Sequence, residues 1–233
     1  MKPEPLLGSA LVPKTSADRV RLKVCGVTQP GQAAELRRLG VDYLGLNFHP
    51  KSPRYVDPGL AAKIVDAWNE PDSTVGVFVD RPAAEVLETL RRANVRIAQL
   101  HGDETPETVA AIARHVPVIR AFRIRDAESL ETARRQIETL ENTGVHLLAV
   151  LIDGYAPGAH GGTGHTVAEE LVRSSSGLHS RVILAGGLKP GNLAERLAWI
   201  RPWCVDVASG VETSPGIKAP AAVEAMVRCV RAT

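Results

Sequence analysis

The sequence predicts an α/β protein, a single closed (β/α)8 TIM barrel with a short N-terminal extension, on three observations. Eight short β-branched runs recur along the chain, and most are followed by an Ala/Leu/Glu/Arg-rich stretch of helical period. Strict alternation of strand and helix means parallel strands joined by crossovers, and eight repeats in roughly 210 residues suit a closed barrel better than an open sheet. The residues that end the runs are polar, and the strand ends are where a barrel carries its chemistry. An open doubly wound sheet is the competing architecture, but no GxGxxG follows the first run and no linker-like stretch lies at the midpoint.

The strands in order are RLKVC (21–25), YLGLNF (43–48), TVGVFV (74–79), RIAQLH (96–101), PVIRAFRI (117–124), LLAVLID (147–153), VILAGG (182–187) and CVDVASG (204–210). Helices are expected between them at about 30–39, 58–69, 83–93, 105–115, 127–141, 166–174, 191–200 and 219–231. Residues 20–233 then form one catalytic domain. Residues 1–19 are expected to be a flexible extension, because Pro5, Gly8 and Pro13 interrupt their apolar residues and no continuous leader core forms.

Composition narrows the function classes. With 44% hydrophobic and 23% charged residues the chain can bury one sizeable core. Its 28 basic and 26 acidic residues are scattered rather than blocked, which gives no reason to expect nucleic acid or an anionic membrane as partner. No segment approaches the roughly 18 uncharged apolar residues of a membrane span. Cysteines 25, 204 and 229 form no CxxC pair and no disulfide framework, so a reducing, cytoplasmic setting is expected. The seven histidines show no HxH or HExxH spacing, so no metal site is expected.

Strand ends supply the candidate residues. Alternation along the first strand puts Arg21, Lys23 and Cys25 on one face and Leu22 and Val24 on the other, so the thiol should point into the barrel above a buried cation. A thiol needs nearby positive charge to act as a base, which Lys23 would supply, and a Cys25 pKa below that of free cysteine is expected. Buried lysine requires a partner, and Asp206 on the adjacent eighth strand is predicted to be that partner. The competing readings are a structural cysteine and two solvated strand-edge charges.

Asp153 closes the apolar run LLAVLID, which should desolvate its carboxyl, raise its pKa and suit it to donate a proton; a turn or capping aspartate is the alternative. Gly162-Thr163-Gly164, Gly186-Gly187 and Ser209-Gly210 follow strands six, seven and eight, where backbone N–H groups can approach a phosphate. Arg54, in the proline-stiffened PKSPRYV loop after strand two, suits a substrate carboxylate unless it is simply a solvated surface arginine. Gln99 and His101 complete the set as supporting residues, His101 being read as a satisfied interior histidine rather than a catalyst.

Together, KVCGVT (23–28), FHPKSPRYV (48–56), VGVFVD (75–80), AQLHGDE (98–104), LIDGYAPGAHGGTGHT (151–166), AGGLKPGN (185–192) and VDVASGVETSPGIK (205–218) form a pattern that resembles the phosphoribosylanthranilate isomerase family of tryptophan biosynthesis. The resemblance runs from about residue 21 to 229. It implies a cofactor-free Amadori rearrangement of a small phosphorylated substrate by a monomer or homodimer. The family's general base falls on Cys25, its general acid on Asp153, its carboxylate-binding arginine on Arg54, and its phosphate loops on Gly162 to Gly164, Gly186-Gly187 and Ser209-Gly210. Two positions depart from the family pattern: His165 stands where lysine is expected, and Asn47 where an apolar residue is more usual. They bear on phosphate affinity and on pocket shape near strand two. A related barrel isomerase of histidine biosynthesis would carry an aspartate at the end of strand one, where this chain has Cys25. A non-catalytic phosphometabolite-binding barrel would be expected to lose the acid or the base.

Overall fold

Eight parallel strands close a barrel in sequence order, with the first strand hydrogen-bonded to the eighth. The structure is a computed structural model that describes residues 19–153 and 167–233. The strands are β1 (Arg21–Cys25), β2 (Tyr43–Asn47), β3 (Thr74–Phe78), β4 (Ile97–Leu100), β5 (Val118–Arg123), β6 (Ala149–Asp153), β7 (Val182–Ala185) and β8 (Cys204–Val207). The helices are α1 (Pro30–Leu39), α2 (Pro58–Trp68), α3 (Ala83–Ala93), α4 (Pro106–Ala113), α5 (Ala127–Asn142), α6 (Val167–Ser175), α7 (Leu193–Trp199) and α8 (Pro220–Arg231).

Two cores follow from the period-2 pattern of the strands. Leu22, Val24, Leu44, Leu46, Val150, Ile152, Val205 and Val207 face outward and pack against helix residues such as Leu36, Ile64, Leu90 and Val223. Each large aliphatic side chain buried this way contributes about 2 kcal/mol. The opposite set, Tyr43, Val75, Ile97, Ile119, Leu151, Ile183 and Cys204, fills the barrel itself. Helix ends are set locally. Asp57 accepts from the backbone N–H groups of Gly59 and Leu60 ahead of α2, and Asp126 and Ser129 cap α5 reciprocally. Helices α1 and α3 stop at Gly40 and Asn94, both in the left-handed conformation.

Seven of the eight strands are shorter than the sequence suggests, and at β7 and β8 the reason is backbone geometry. Gly186 (φ 93°) and Gly187 (φ 62°) turn the chain out of β7 after Ala185. Residues 209–211 form a 3-10 turn after β8. A small antiparallel hairpin, β9 (Glu212–Ser214) and β10 (Ile217–Lys218), then turns at Pro215-Gly216 before α8. Residues 1–18 of the expected extension lie outside the described residues. Arg19, placed in that extension by sequence, forms an ion pair with Asp42, which also accepts from Leu22 N at 2.9 Å.

One buried ion pair ties the loops after β3 and β4 to β5. Glu104 accepts from Arg120 Nη1 at 2.9 Å and from the backbone N–H groups of Asp80 (3.0 Å) and Gly102 (3.1 Å), while the same Arg120 nitrogen reaches the carbonyls of Leu100 and Gly102. Removing one partner leaves an uncompensated buried charge. Glu104→Ala is therefore expected to lower the unfolding free energy by about 3 kcal/mol, read from urea denaturation; a loss under about 1 kcal/mol would show that water replaces the carboxylate.

Candidate active site

The inward column of β1 runs from Arg21 through Lys23 to Cys25, as strand alternation predicts. Lys23 is 1% exposed, and its Nζ donates to Asp206 Oδ2 at 2.9 Å across the β1–β8 pairing, where the two residues stand in register. Burial alone would depress the lysine's pKa, but the Asp206 carboxylate and the Cys25 sulfur raise it above the ordinary value, so the ammonium is kept charged. Cys25 is half-buried and pairs in register with Gly45 of β2. A Cβ at residue 45 would lie 2.8 Å from the Cys25 sulfur, so glycine is what leaves room for the thiol.

The expected direction of the Cys25 pKa is corrected by the structure. Burial, the largest cause, pushes the thiol up and Asp206 adds to it, while Lys23 and Lys218 pull it down; the net direction is upward. The sequence shows the cation beneath the thiol but not the desolvation that outweighs it.

Asp153 ends β6 three strands from β1 around the ring, in register with Arg123 of β5. Its side chain is 31% exposed, so the carboxyl meets more solvent than its apolar strand suggests. His101 Nε2 lies 3.7 Å from Asp153 Oδ2, beyond hydrogen-bond reach. Burial holds the His101 imidazole below its ordinary pKa despite that carboxylate, favouring the neutral ring. His101 Nε2, Gln99 Oε1 and Asp206 Oδ1 are buried with no hydrogen-bond partner among the described residues. His101 is thus less satisfied than the sequence reading supposed. Buried polar atoms of this kind are normally met by water or a ligand. A cavity of about 440 Å³ adjoins the mouth beside β5 and α5, with His101, Arg123, Arg125 and Ser129 in its wall. Neither Cys25 nor Asp153 lines it.

The glycine loops after β7 and β8 touch. A Cβ on Gly210 would run into the Leu188 carbonyl, so that glycine permits the approach. Gly186-Gly187 and Ser209-Gly210 therefore belong to one patch, with Asn192 Nδ2 bonded to the Gly187 carbonyl at 3.0 Å. Gly162, Thr163, Gly164 and His165 lie outside the described residues.

Arg54 is committed more than expected. Its Nε and Nη2 donate to Glu212 Oε1 and Oε2 at 2.8 and 2.6 Å. Glu212 also accepts from Lys218 Nζ at 2.6 Å and from Gly216 N at 3.1 Å. Against the upward push of burial, these donors hold its carboxyl down at about 2. Lys218 Nζ donates further to the backbone carbonyls of Cys25 (2.5 Å) and Ala208 (3.4 Å). Glu212 and Lys218 were not singled out from sequence. Charges on both sides of a Pro-Gly turn were the available signal, since a tight hairpin brings its two flanks together.

The chain is similar to known proteins in sequence and in fold. Residues 22–229 match the family model for N-(5'phosphoribosyl)anthranilate (PRA) isomerase. The N-(5'-phosphoribosyl)anthranilate isomerase of Myxococcus xanthus is 43% identical over 212 residues, covering 91% of this chain and 96% of that protein. That of Geobacter metallireducens is 40% identical, covering 91% of this chain and 100% of the relative. Among solved structures, phosphoribosyl anthranilate isomerase from Thermotoga maritima superposes with a TM-score of 0.79 at 30% identity, over 92% of this chain and 100% of that one. A phosphoribosyl anthranilate isomerase in complex with reduced 1-(o-carboxyphenylamino)-1-deoxyribulose 5-phosphate gives 0.78 at 28% identity, with the same coverage.

Proposed function

The chain belongs to the N-(5'-phosphoribosyl)anthranilate isomerase family, and from that premise we propose which of its residues carry the reaction. It is an isomerase of tryptophan biosynthesis that converts N-(5-phosphoribosyl)anthranilate into 1-(2-carboxyphenylamino)-1-deoxyribulose 5-phosphate by an Amadori rearrangement. Asp153 gives its proton to the ribose ring oxygen as the C1–O bond breaks, and the nitrogen lone pair closes an iminium. The Cys25 thiolate then removes the C2 proton, and the C–H electron pair forms the enolamine. Protonation at C1 and loss of the O2 proton give the ketone. Proton return from the thiol to the carboxylate, through solvent, resets the pair.

The observation that carries this assignment is that β1 and β6 end in inward-facing Cys25 and Asp153, with Lys23 charged beneath the thiol. Nη1 of Arg54 is available to the anthranilate carboxylate. Backbone N–H groups of Gly162 to Gly164, Gly186-Gly187 and Ser209-Gly210 would hold the phosphate. Asp206 and Gln99, with their unpartnered oxygens, and His101 would meet the sugar hydroxyls. No helix of the described residues is long and apolar enough to cross a membrane. A cytoplasmic monomer or homodimer is the form we assign; the Thermotoga maritima isomerase is dimeric and has a solved structure in a monomeric form.

The direct test adds freshly prepared phosphoribosylanthranilate to the purified protein and follows loss of anthranilate fluorescence. Turnover in D2O should leave one solvent deuterium on C1 of the product. A product with the original C2 hydrogen carried wholly to C1 would replace the acid/base route with a direct shift.

A further inference from the structure

We propose that Lys218 is a positioning residue for the Cys25 base, holding the cysteine backbone from β10 and supplying the one unbalanced positive charge beside the thiolate. The inference rests on Cys25 being the base. It begins with the location of Lys218, whose side chain is 1% exposed although it follows a Pro-Gly turn in a short polar hairpin. Its three N–H bonds have three acceptors: the Cys25 carbonyl, Glu212 Oε1 and the Ala208 carbonyl. With its donors used on protein atoms, Lys218 has none left for substrate. It acts through Cys25.

Charge count explains why a lysine is there rather than a neutral donor. Among the described residues, the charged groups around the thiol are Lys23 on its own strand, Asp206 on β8, Lys218 on β10, Arg54 in the loop after β2 and Glu212 of β9, which pairs with Arg54 and Lys218. Lys23 is neutralised by Asp206, and Arg54 by its bidentate bond to Glu212. Three cations against two carboxylates leave one positive charge, which a thiolate at Cys25 would balance. A buried lysine is costly unless it meets negative charge, and the Glu212 carboxylate already has a guanidinium. A neutral amide would satisfy the two carbonyls equally well. The ammonium shares the Glu212 carboxylate with that guanidinium, and the ionised form of the base is its remaining electrostatic partner. The same contacts tie the hairpin to β1, and Thr28 Oγ1 fastens the other edge through the Gly216 carbonyl at 2.8 Å.

Iodoacetamide labelling of Cys25 as a function of pH tests the inference without relying on turnover. Lys218→Gln keeps a donor for the carbonyl but removes the charge, and Lys218→Met removes both; in each the thiol midpoint is expected to rise by about one pH unit, with thiolate near neutrality falling about tenfold. Lys218→Arg should restore it towards wild type. A folded Lys218→Gln protein with an unchanged midpoint would overturn the inference and leave Lys218 as a structural tie. The wild-type protein gives a second readout that needs no substitution: the Lys218 ζ-15N resonance should shift through the Cys25 midpoint, and a resonance that ignores it would count equally against the proposal. Turnover separates this inference from its premise. Retained activity in Cys25→Ala removes the base assignment, whereas an inactive Cys25→Ala beside an unshifted Lys218→Gln removes only the role of Lys218.

Discussion

Cys25→Ala is expected to lower kcat about 10³-fold, within the range of general acid/base catalysis, with the fluorescence assay as readout. That factor corresponds to about 4 kcal/mol of barrier. The methyl group of alanine fits the space that Gly45 leaves beside β1, so the melting temperature should move little and lost activity cannot be assigned to unfolding. A small buried cysteine serving only as packing would behave differently: alanine there would leave kcat near wild type. Retained turnover would thus return Cys25 to the role that base rates give most buried cysteines.

The upward direction of the Cys25 pKa changes how the pair works. On the proposed assignment turnover needs the proton on the acid and off the thiol, whereas a carboxyl ordinarily ionises about four pH units before a thiol. The productive form is then a minority tautomer carrying the same total number of protons as the resting form. Its share is constant between the two macroscopic midpoints, and kcat/KM should fall as pH rises through the upper one, which belongs mainly to the thiol. Each influence that lowers the thiol pKa enlarges the productive share in proportion. Lys23 below and Lys218 beside Cys25 both act in that direction, against burial.

Strand alternation made the inward column of β1 legible because the strand is regular and its two faces differ so sharply in polarity. Lys23 and Asp206 could be paired from sequence for a related reason: each is a charge on an inward position, and closure of the barrel makes first and last strands neighbours. Arg54 was legible as a cation near the mouth but not as a partner of Glu212, since 158 residues separate them and the contact depends on how a hairpin folds back. Lys218 was hidden similarly, looking like an ordinary surface lysine after a turn. The sign of the Cys25 pKa was out of reach, because desolvation is set by how tightly the walls close around the sulfur, and no local pattern encodes that. The glycine patch was half legible. Its glycines were visible, while the contact between the β7 and β8 loops that Gly210 permits appears only when both strands are in place.

Asp153→Asn should also lower kcat about 10³-fold, but its pH profile separates it from every merely structural change. Asparagine keeps the shape of the side chain and cannot protonate the ring oxygen, so the C1–O bond must break towards an unprotected alkoxide. His101 is a poor substitute, since burial favours its neutral ring and its Nε2 stands 3.7 Å from the carboxylate. In the wild type kcat/KM is expected to fall above the thiol midpoint, where the acid loses its share of the last proton. With residue 153 no longer titrating, residual activity needs only the thiolate and should rise with pH through that same midpoint. The expected result is therefore an inversion of the alkaline limb, from falling to rising. A variant that loses activity but keeps a falling alkaline limb would show that another group holds the proton, and the neighbouring His101 would be the first to replace in turn.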